Sequence, residues 1–457
     1  MHTRRLFGTS GIRGVVNQDL SPDFCRQIAL AIGTTLPPGS TVCIATDTRI
    51  SRDIIKEAVC AGLLSCSINV VDLGILPTPA LALLTRESGV TAGIMVTASH
   101  NPPEFNGIKL FTGNSLGYSQ AQEAEIEKIY FEQKFRQGKR GNLKQAQDMK
   151  QRYLSFIKGK LSRSGLNHQL KVVVDPGNGA ASKFASDIFV RIGLDVITVN
   201  DEPNGLFPGR SPEPKADTLQ GTVNFLRKHN ADLAICFDGD ADRVVFCDKE
   251  GFLGFNEPIA FISRLTVKKT GKKKIATTVE TGTLLDLAVK DLGGEVVRGR
   301  VGDVAVAHLA RELDAALGVE QVGVYIFPEA GYYPDSIFAS LFLLSQLSNA
   351  GEIRQFFQSI PRLFFEKAKI LCPNELKELV MAQVKERAHL FAPDEIPIKI
   401  GTLDGLRLDF PDSWILIRAS GTEPVIRIIS ESTSQTQTDE LISKGKELVQ
   451  SLVEANR

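Results

Sequence analysis

The chain has 457 residues, 43% of them hydrophobic, and 53 basic side chains balance 53 acidic ones. At about 150 residues per domain this length holds roughly three domains, and a pI near 7 lacks the basic excess of a dedicated nucleic-acid binder. No run approaches about 18 apolar residues, the opening Met1-His2-Thr3-Arg4-Arg5 has no apolar signal core, and seven cysteines include no Cys-x-x-Cys pair, so a cytoplasmic protein with no membrane span, signal peptide or structural zinc is expected.

Apolar runs that read as strands alternate with amphipathic runs that read as helices. Residues 42–45, 68–71 and 94–96 are early strands, with a helix over 53–65 between the first two. Residues 119–161 are charged and helical, broken at Gly138-Lys139-Arg140-Gly141, and read as two helices. Strands resume at 171–175 and 233–237, and a third block starting near Phe252 has strands at 274–279, 295–298 and 322–327. The basic stretch 268–274 reads as a solvent-facing turn rather than a nucleic-acid patch. The last part differs: a helix around 374–391, strands near Ile398 and Ile415, and a helix over 436–454. This rhythm predicts an α/β protein with mixed sheets and a C-terminal α+β domain.

Four loops carry chemistry. In the first, Thr97-Ala98-Ser99-His100-Asn101-Pro102-Pro103 follows the apolar run Gly93-Ile94-Met95-Val96. The prolines end any regular element, so Ser99 sits just past the carboxyl end of a strand, where α/β proteins place ligands. Ser99 has His100 beside it and Lys109 shortly after, and can serve as a nucleophile or a phosphate carrier.

The second loop is Asp238-Gly239-Asp240-Ala241-Asp242-Arg243. Carboxylates at alternate positions can close around one hard cation, Mg²⁺ before Mn²⁺ or Ca²⁺. An EF-hand reading fails, because Arg243 and Lys249 stand where that motif needs glycine and glutamate. A merely solvated acidic turn is disfavoured by the mutual repulsion of three aspartates.

The third loop, Arg418-Ala419-Ser420-Gly421-Thr422-Glu423-Pro424 followed by Arg427, offers guanidinium forks, hydroxyls and backbone N–H groups to an anion. The fourth, Phe7-Gly8-Thr9-Ser10-Gly11-Ile12-Arg13-Gly14, surrounds one arginine with glycines and hydroxyls and lacks P-loop spacing.

Together and in this order, the four loops resemble the α-D-phosphohexomutase family, and the opening is most similar to its archaeal-type phosphoglucosamine and phosphomannose/phosphoglucose mutases. The resemblance runs from Phe7 to Ile428 and includes Asp175-Pro176-Gly177-Asn178-Gly179 and the segment 204–214. It implies three related α/β domains with mixed sheets plus a C-terminal α+β domain around a central cleft. The expected domains are a phosphoserine-loop domain over 1–150, a metal-binding domain over 151–251, a sugar-binding domain over 252–366 and a phosphate-binding domain over 367–457.

The resemblance implies a mechanism too. Ser99 carries a phosphoryl group against Mg²⁺ held by Asp238, Asp240 and Asp242. The group passes to a hexose monophosphate, and a hexose 1,6-bisphosphate turns over and returns its other phosphoryl group to Ser99. Lys109 is the candidate general acid/base, with Arg13 and Arg243 supporting the transferring group. His100 can share the proton work or order the loop by a hydrogen bond. Arg418, Ser420, Gly421, Thr422 and Arg427 grip the phosphate that is not reacting, and the last domain swings over the substrate. The partner is a small phosphosugar, with no nucleic acid or membrane, and the assembly is a monomer or homodimer.

The sugar loop departs from the family. Where Gly-Glu-x-Ser-Gly or Gly-Glu-x-Asn-Gly is usual, this chain has Val319-Glu320-Gln321-Val322-Gly323, and Val324 stands where many bacterial members have histidine. A buried hydroxyl left unpaired costs about 1–3 kcal/mol, so either Gln321 replaces the missing partner of Val322 or the sugar preference has shifted. Gly299 stands where the family often has threonine. Two other readings are a phosphosugar-binding regulator without turnover and an aspartyl-phosphate phosphatase using Asp238. Only the mutase should carry about 80 Da on Ser99.

Overall fold

The computed structural model describes residues 5–161, 169–388, 391, 397–421 and 423–457. Strands β1 (Ile12–Val15), β2 (Thr41–Thr46), β3 (Asn69–Ile75), β4 (Ala92–Val96), β5 (Phe105–Thr112) and β6 (Leu143–Gln145) form a mixed sheet ordered β1-β5-β4-β2-β3-β6. Strands β2, β3 and β4 pair in parallel, whereas β5 runs antiparallel to β4 and β1. Strand β4 is buried along its whole length because both faces are covered, which is why it reads as a continuous apolar run. Ile94 and Val96 pack with the helices Pro22–Thr35 and Arg52–Ser65, and Met95 points into the opposite cluster.

The second sheet, ordered β11-β10-β9-β7-β8, holds β7 (Lys171–Asp175), β8 (Asp195–Thr198), β9 (Leu233–Phe237), β10 (Val244–Asp248) and β11 (Gly251–Phe252). The third, ordered β13-β12-β14-β15, holds β12 (Lys274–Thr278), β13 (Glu295–Gly299), β14 (Leu317–Glu320) and β15 (Val324–Ile326). The fourth is antiparallel throughout and ordered β16-β20-β19-β18-β17. Its strands are β16 (Phe364–Leu371), β17 (Lys399–Gly401), β18 (Leu406–Asp409), β19 (Ser413–Ala419) and β20 (Val425–Ser432). The expected architecture of three related α/β units and a C-terminal α+β unit is therefore observed.

The units are not equally joined. One apolar cluster runs through the first three, from Met95 through Phe184 and Val244 to Phe338. The fourth sheet packs one face on the helix Gln435–Ala455 in a core of its own. Its other face meets the third unit through Trp414, Leu416 and Ile429 on Val279. Polar clamps close that seam: Arg407 donates to the carbonyls of Val279 (2.6 Å) and Thr281 (3.1 Å), and Glu431 accepts from Trp414 Nε1 (2.9 Å) and Thr283 N (2.7 Å).

Several local expectations change. The 322–327 strand is only β15, because Gly323 (φ +86°) turns the chain back from β14, which the sequence reading lacked. The two helices within 119–161 are Gln120–Glu132 and Met149–Lys160, with the short edge strand β6 between them. The helix around 374–391 is a short 3-10 turn followed by Lys377–Glu386. Lys268 and Lys269 end the helix Asn256–Thr270 and Lys274 starts β12, so the turn itself is shorter than the basic stretch. Strand β16 crosses the boundary expected between residues 366 and 367. The seven cysteines are free and buried, and among the described residues no helix is long and apolar enough to cross a membrane.

Candidate active site

Ser99 is buried at the end of β4 in the left-handed backbone region, at φ +52°. For a non-glycine residue that conformation costs about 1–2 kcal/mol, so the surroundings must impose it. Arg49, just beyond β2, does so. It is fully buried, pairs with Asp47 at 3.0 Å, and donates to the carbonyls of Ser99 (2.9 Å), Asn101 (2.5 Å), Pro102 (2.5 Å) and Phe105 (2.9 Å). Asp47 also accepts from Thr97 Oγ1 at 2.6 Å, and Thr97 Oγ1 accepts from Ser99 N at 2.8 Å.

The aspartate loop joins β9 to β10 directly beneath Ser99. Ser99 Oγ donates to Asp238 Oδ2 at 2.6 Å, and one oxygen from each of Asp238, Asp240 and Asp242 lies within 4.8 Å of the others. Gly239 is required here, since a β-carbon on it would come 2.4 Å from the Ser99 carbonyl oxygen. Lys109, from β5, donates to Asp240 at 2.7 Å and to Asp242 at 2.5 Å, and Thr78 donates to Asp240 at 2.5 Å.

The electrostatics follow from this crowding. Burial, then the Asp242 and Asp240 charges, raise the Asp238 pKa well above the carboxylate range. Burial opposes ionisation of Asp242 as well, but Lys109 and Arg243 outweigh it and hold its pKa low. Burial likewise disfavours the Lys109 ammonium, yet Asp240 and Asp242 prevail and raise its pKa. Asp240 Oδ1 is buried with no hydrogen-bond partner among the described residues. Three carboxylates, one oxygen of them unpaired and a lysine neutralising two, make a donor set that fits a hard divalent cation.

Arg13, His100 and Arg243 surround the same point. Arg13 donates to Asn101 Oδ1 at 3.2 Å, and Arg243 Nε lies 3.8 Å from Asp242. His100 Nδ1 is 3.4 Å from Ser99 Oγ. The Arg243 guanidinium, then burial and Arg13, push His100 far below the usual imidazole range, so its ring is neutral.

The third unit contributes Asp303 and the 319–323 loop. Asp303 Oδ2 accepts from Ser10 Oγ at 3.3 Å, and Glu320 Oε1 accepts from Gly302 N at 2.8 Å. Burial, then the Asp303 charge, push Glu320 up to about 7. Arg243 bridges to Val324, and Val244 N donates to Gly323 O at 2.9 Å, so the sugar loop is stitched to the aspartate loop. Val319 is core, Val322 packs against the cluster around Val306 and Ile326, and the buried Gln321 Nε2 has no hydrogen-bond partner among the described residues. A β-carbon at Gly299 would come 2.8 Å from Leu309 Cδ2, the movable end of a partly buried side chain.

Arg418 and Arg427 lie on adjacent strands of the fourth sheet, directly opposite one another. Arg418 pairs with Glu280 of the third unit at 2.8 Å, and Arg427 pairs with Glu423 at 2.6 Å. Lys377 donates to the carbonyls of Ser420 (2.7 Å) and Glu423 (2.5 Å), which fixes the loop. Gly421 faces open space at the tip, and Thr422 lies outside the described residues.

The fold thus gathers Ser99, His100, Lys109, Arg13, Arg243 and the three aspartates around one point, with Glu320 adjoining through Gly302. Arg418, Ser420, Gly421 and Arg427 stand on the fourth unit and connect through Glu280. The sequence reading missed Arg49, Thr78, Glu280 and Asp303. Asp47-Thr48-Arg49 follows an apolar strand just as the Ser99 loop does, and that position was its only signal.

Known proteins match along the chain. Three models described as phosphoglucomutase/phosphomannomutase alpha/beta/alpha domains I, II and III cover residues 4–137, 151–251 and 257–363, and the model of the C-terminal domain covers 370–444. A probable phosphoglucosamine mutase of Pyrococcus abyssi is 38% identical over 98% of both chains. A phosphoglucomutase/phosphomannomutase of Thermococcus kodakarensis is 34% identical over 98% of both. A crystal structure of a phosphoglucomutase/phosphomannomutase family protein from Burkholderia thailandensis superposes with a TM-score of 0.86 at 26% identity, covering 99% of this chain and 98% of that one. With four domain models in order and relatives matched nearly end to end, the chain belongs to the phosphoglucomutase/phosphomannomutase family, the α-D-phosphohexomutases.

Proposed function

We propose that the protein interconverts hexose 1-phosphates and 6-phosphates through a phosphoserine at Ser99 and a hexose 1,6-bisphosphate intermediate, with glucosamine phosphate as its preferred sugar. The observation that carries this reading is Ser99 Oγ at 2.6 Å from Asp238, within a carboxylate cluster that Lys109 bridges. On this reading residues 1–150 supply the phosphoserine, 151–251 the metal loop, 252–366 the sugar contacts and 367–457 the phosphate grip.

Mg²⁺ held by Asp238, Asp240 and Asp242 would offset the phosphoserine charge of about −1.5 to −2 and relieve Lys109 of neutralising those carboxylates. A sugar hydroxyl oxygen bonds to phosphorus as the bond from phosphorus to Ser99 Oγ breaks. With its carboxylates engaged by the cation, burial and Arg13 would lower the Lys109 pKa; the neutral amine then takes the hydroxyl proton and gives it to the departing Ser99 Oγ, while Arg13 and Arg243 face the charge on the moving phosphoryl group. The bisphosphate then reorients and the reverse transfer restores phosphoserine, so phosphorus and protons balance over the cycle. Arg418, Ser420, Gly421, Thr422 and Arg427 anchor the idle phosphate, which lowers the entropic part of the barrier.

For the sugar, Glu320 and the unpaired Gln321 amide supply hydrogen bonds that Val322 does not. Besides burial, the Asp303 charge, and more weakly that of Glu280, raise the Glu320 pKa, and the acidic wall that Glu320 and Asp303 form suits the ammonium of an amino sugar. The test is ³¹P NMR with Mg²⁺ and a trace of hexose 1,6-bisphosphate, with glucosamine, mannose and glucose 1-phosphates supplied separately. Glucosamine phosphate should turn over fastest, and Ser99→Ala should lower the rate on the order of 10⁴-fold or more. No conversion of any sugar removes the reading, whereas a faster mannose or glucose reaction replaces only the sugar.

A further inference from the structure

The fourth sheet has a basic row that no single stretch of sequence displays. Lys369 on β16 sits opposite Arg427 on β20, which sits opposite Arg418 on β19. Residues directly opposite share a face, and Lys367, two positions from Lys369, shares it too. This face turns toward the third unit, because Phe365, two positions further along β16, packs with Trp414 and Val279. The opposite face, through Ala368 and Ile370, packs on the domain's own core.

The cations of the row are not equivalent. Arg418 pairs with Glu280, and Glu423 takes both Arg427 and Lys369. Lys367 has no ion-pair or hydrogen-bond partner among the described residues, and its ammonium lies 5.3 Å from the centre of the Phe365 ring. Lysine on an edge strand often does no more than guard that edge. Here the ammonium faces other charges: partial desolvation, opposed by Glu280 and reinforced by Arg427 and Arg418, lowers its pKa. Four cations (Lys367, Lys369, Arg418, Arg427) against Glu280 and Glu423 leave an excess of two. Lys377 and Asp404, each beside the same loop, cancel. An excess of two matches a phosphate monoester of charge about −1.5 to −2.

We propose that Lys367 is a phosphate-binding residue, the cation of this row left free to receive the idle phosphate of the bound phosphosugar. The proposal rests on the function given above and extends its phosphate grip to a strand outside the 418–427 loop. The probe is glucose 1,6-bisphosphate, titrated calorimetrically into the full chain with Mg²⁺. Lys367→Met keeps the aliphatic stem and should weaken binding about tenfold, as befits one charge-assisted hydrogen bond. Lys367→Arg should stay within about threefold of the parent. In turnover, Lys367→Met should raise KM with kcat nearly unchanged, the pattern of lost uniform binding. Equal affinity in Lys367→Met and the parent overturns the proposal, as does a loss in Lys367→Arg equal to that in Lys367→Met. If the parent itself does not bind the bisphosphate, the function falls and the proposal with it.

Discussion

The two ends of this site are built on different plans. Around Ser99 the serine, Lys109 and the aspartates are held by short bonds inside a cluster that the first two units close together. Around Arg418 the charges are spread over three strands and a neighbouring unit, and the seam between the units is a small apolar contact ringed by polar clamps. Chemistry on phosphorus needs fixed geometry, whereas a grip that must accept either phosphate of a reorienting sugar gains from a surface with several cations.

Removing the lock should be the most damaging test of that contrast. Arg49 touches no substrate; it holds the Ser99 loop by four carbonyls. Arg49→Met leaves Asp47 buried without its counter-ion, which costs about 3–5 kcal/mol, and lets Ser99 relax from its left-handed conformation. A drop of about 10²-fold in kcat is expected, with a clear fall in melting temperature. Full kcat in a destabilised variant would show that the loop keeps its geometry without the cradle.

The recognition end should respond more gently. Glu280 occupies Arg418 in the free protein at 2.8 Å, where a phosphate oxygen would otherwise bond. Glu280→Gln keeps an acceptor but removes the competing charge. Affinity for inorganic phosphate should therefore rise about three- to tenfold while kcat changes little. Weaker phosphate binding would mean that Glu280 aims Arg418 rather than competing for it.

The same contrast decides what the sequence displays. Residues 97–109 and 238–243 are contiguous because a strand end delivers each chemical group in one short loop, so both motifs are visible in the chain. The basic row is invisible there, since Lys367, Arg418 and Arg427 meet only through strand pairing. Arg49 and Glu280 likewise act on segments distant in sequence. The valines of the sugar loop look anomalous as text and ordinary in space: Val319 fills the core and Val322 leans on the cluster of Val306 and Ile326. Strand β14 is hard to see in the sequence because Gly318 and Glu320 interrupt its apolar pattern, although all its residues are buried.

The smallest expected effect separates the ends by pH. Glu320 is pushed up to about 7 by burial and then by Asp303. A carboxyl whose folded pKa exceeds its unfolded value, about 4.3, binds more protons when folded. Its contribution is complete below the unfolded pKa and is lost as pH rises through the folded one. Stability should therefore fall as pH rises from about 4.3 to about 7. Glu123, raised to about 7, and Asp335, raised to about 6, add to the slope from elsewhere in the fold. Glu320→Gln removes one of these three contributions. Melting temperature against pH should be flatter in that variant by a degree or a few, about what a fraction of a proton per molecule gives in a chain this long. An unchanged slope would place Glu320 among the ordinary carboxylates and leave the acidic wall facing the sugar charged throughout that range.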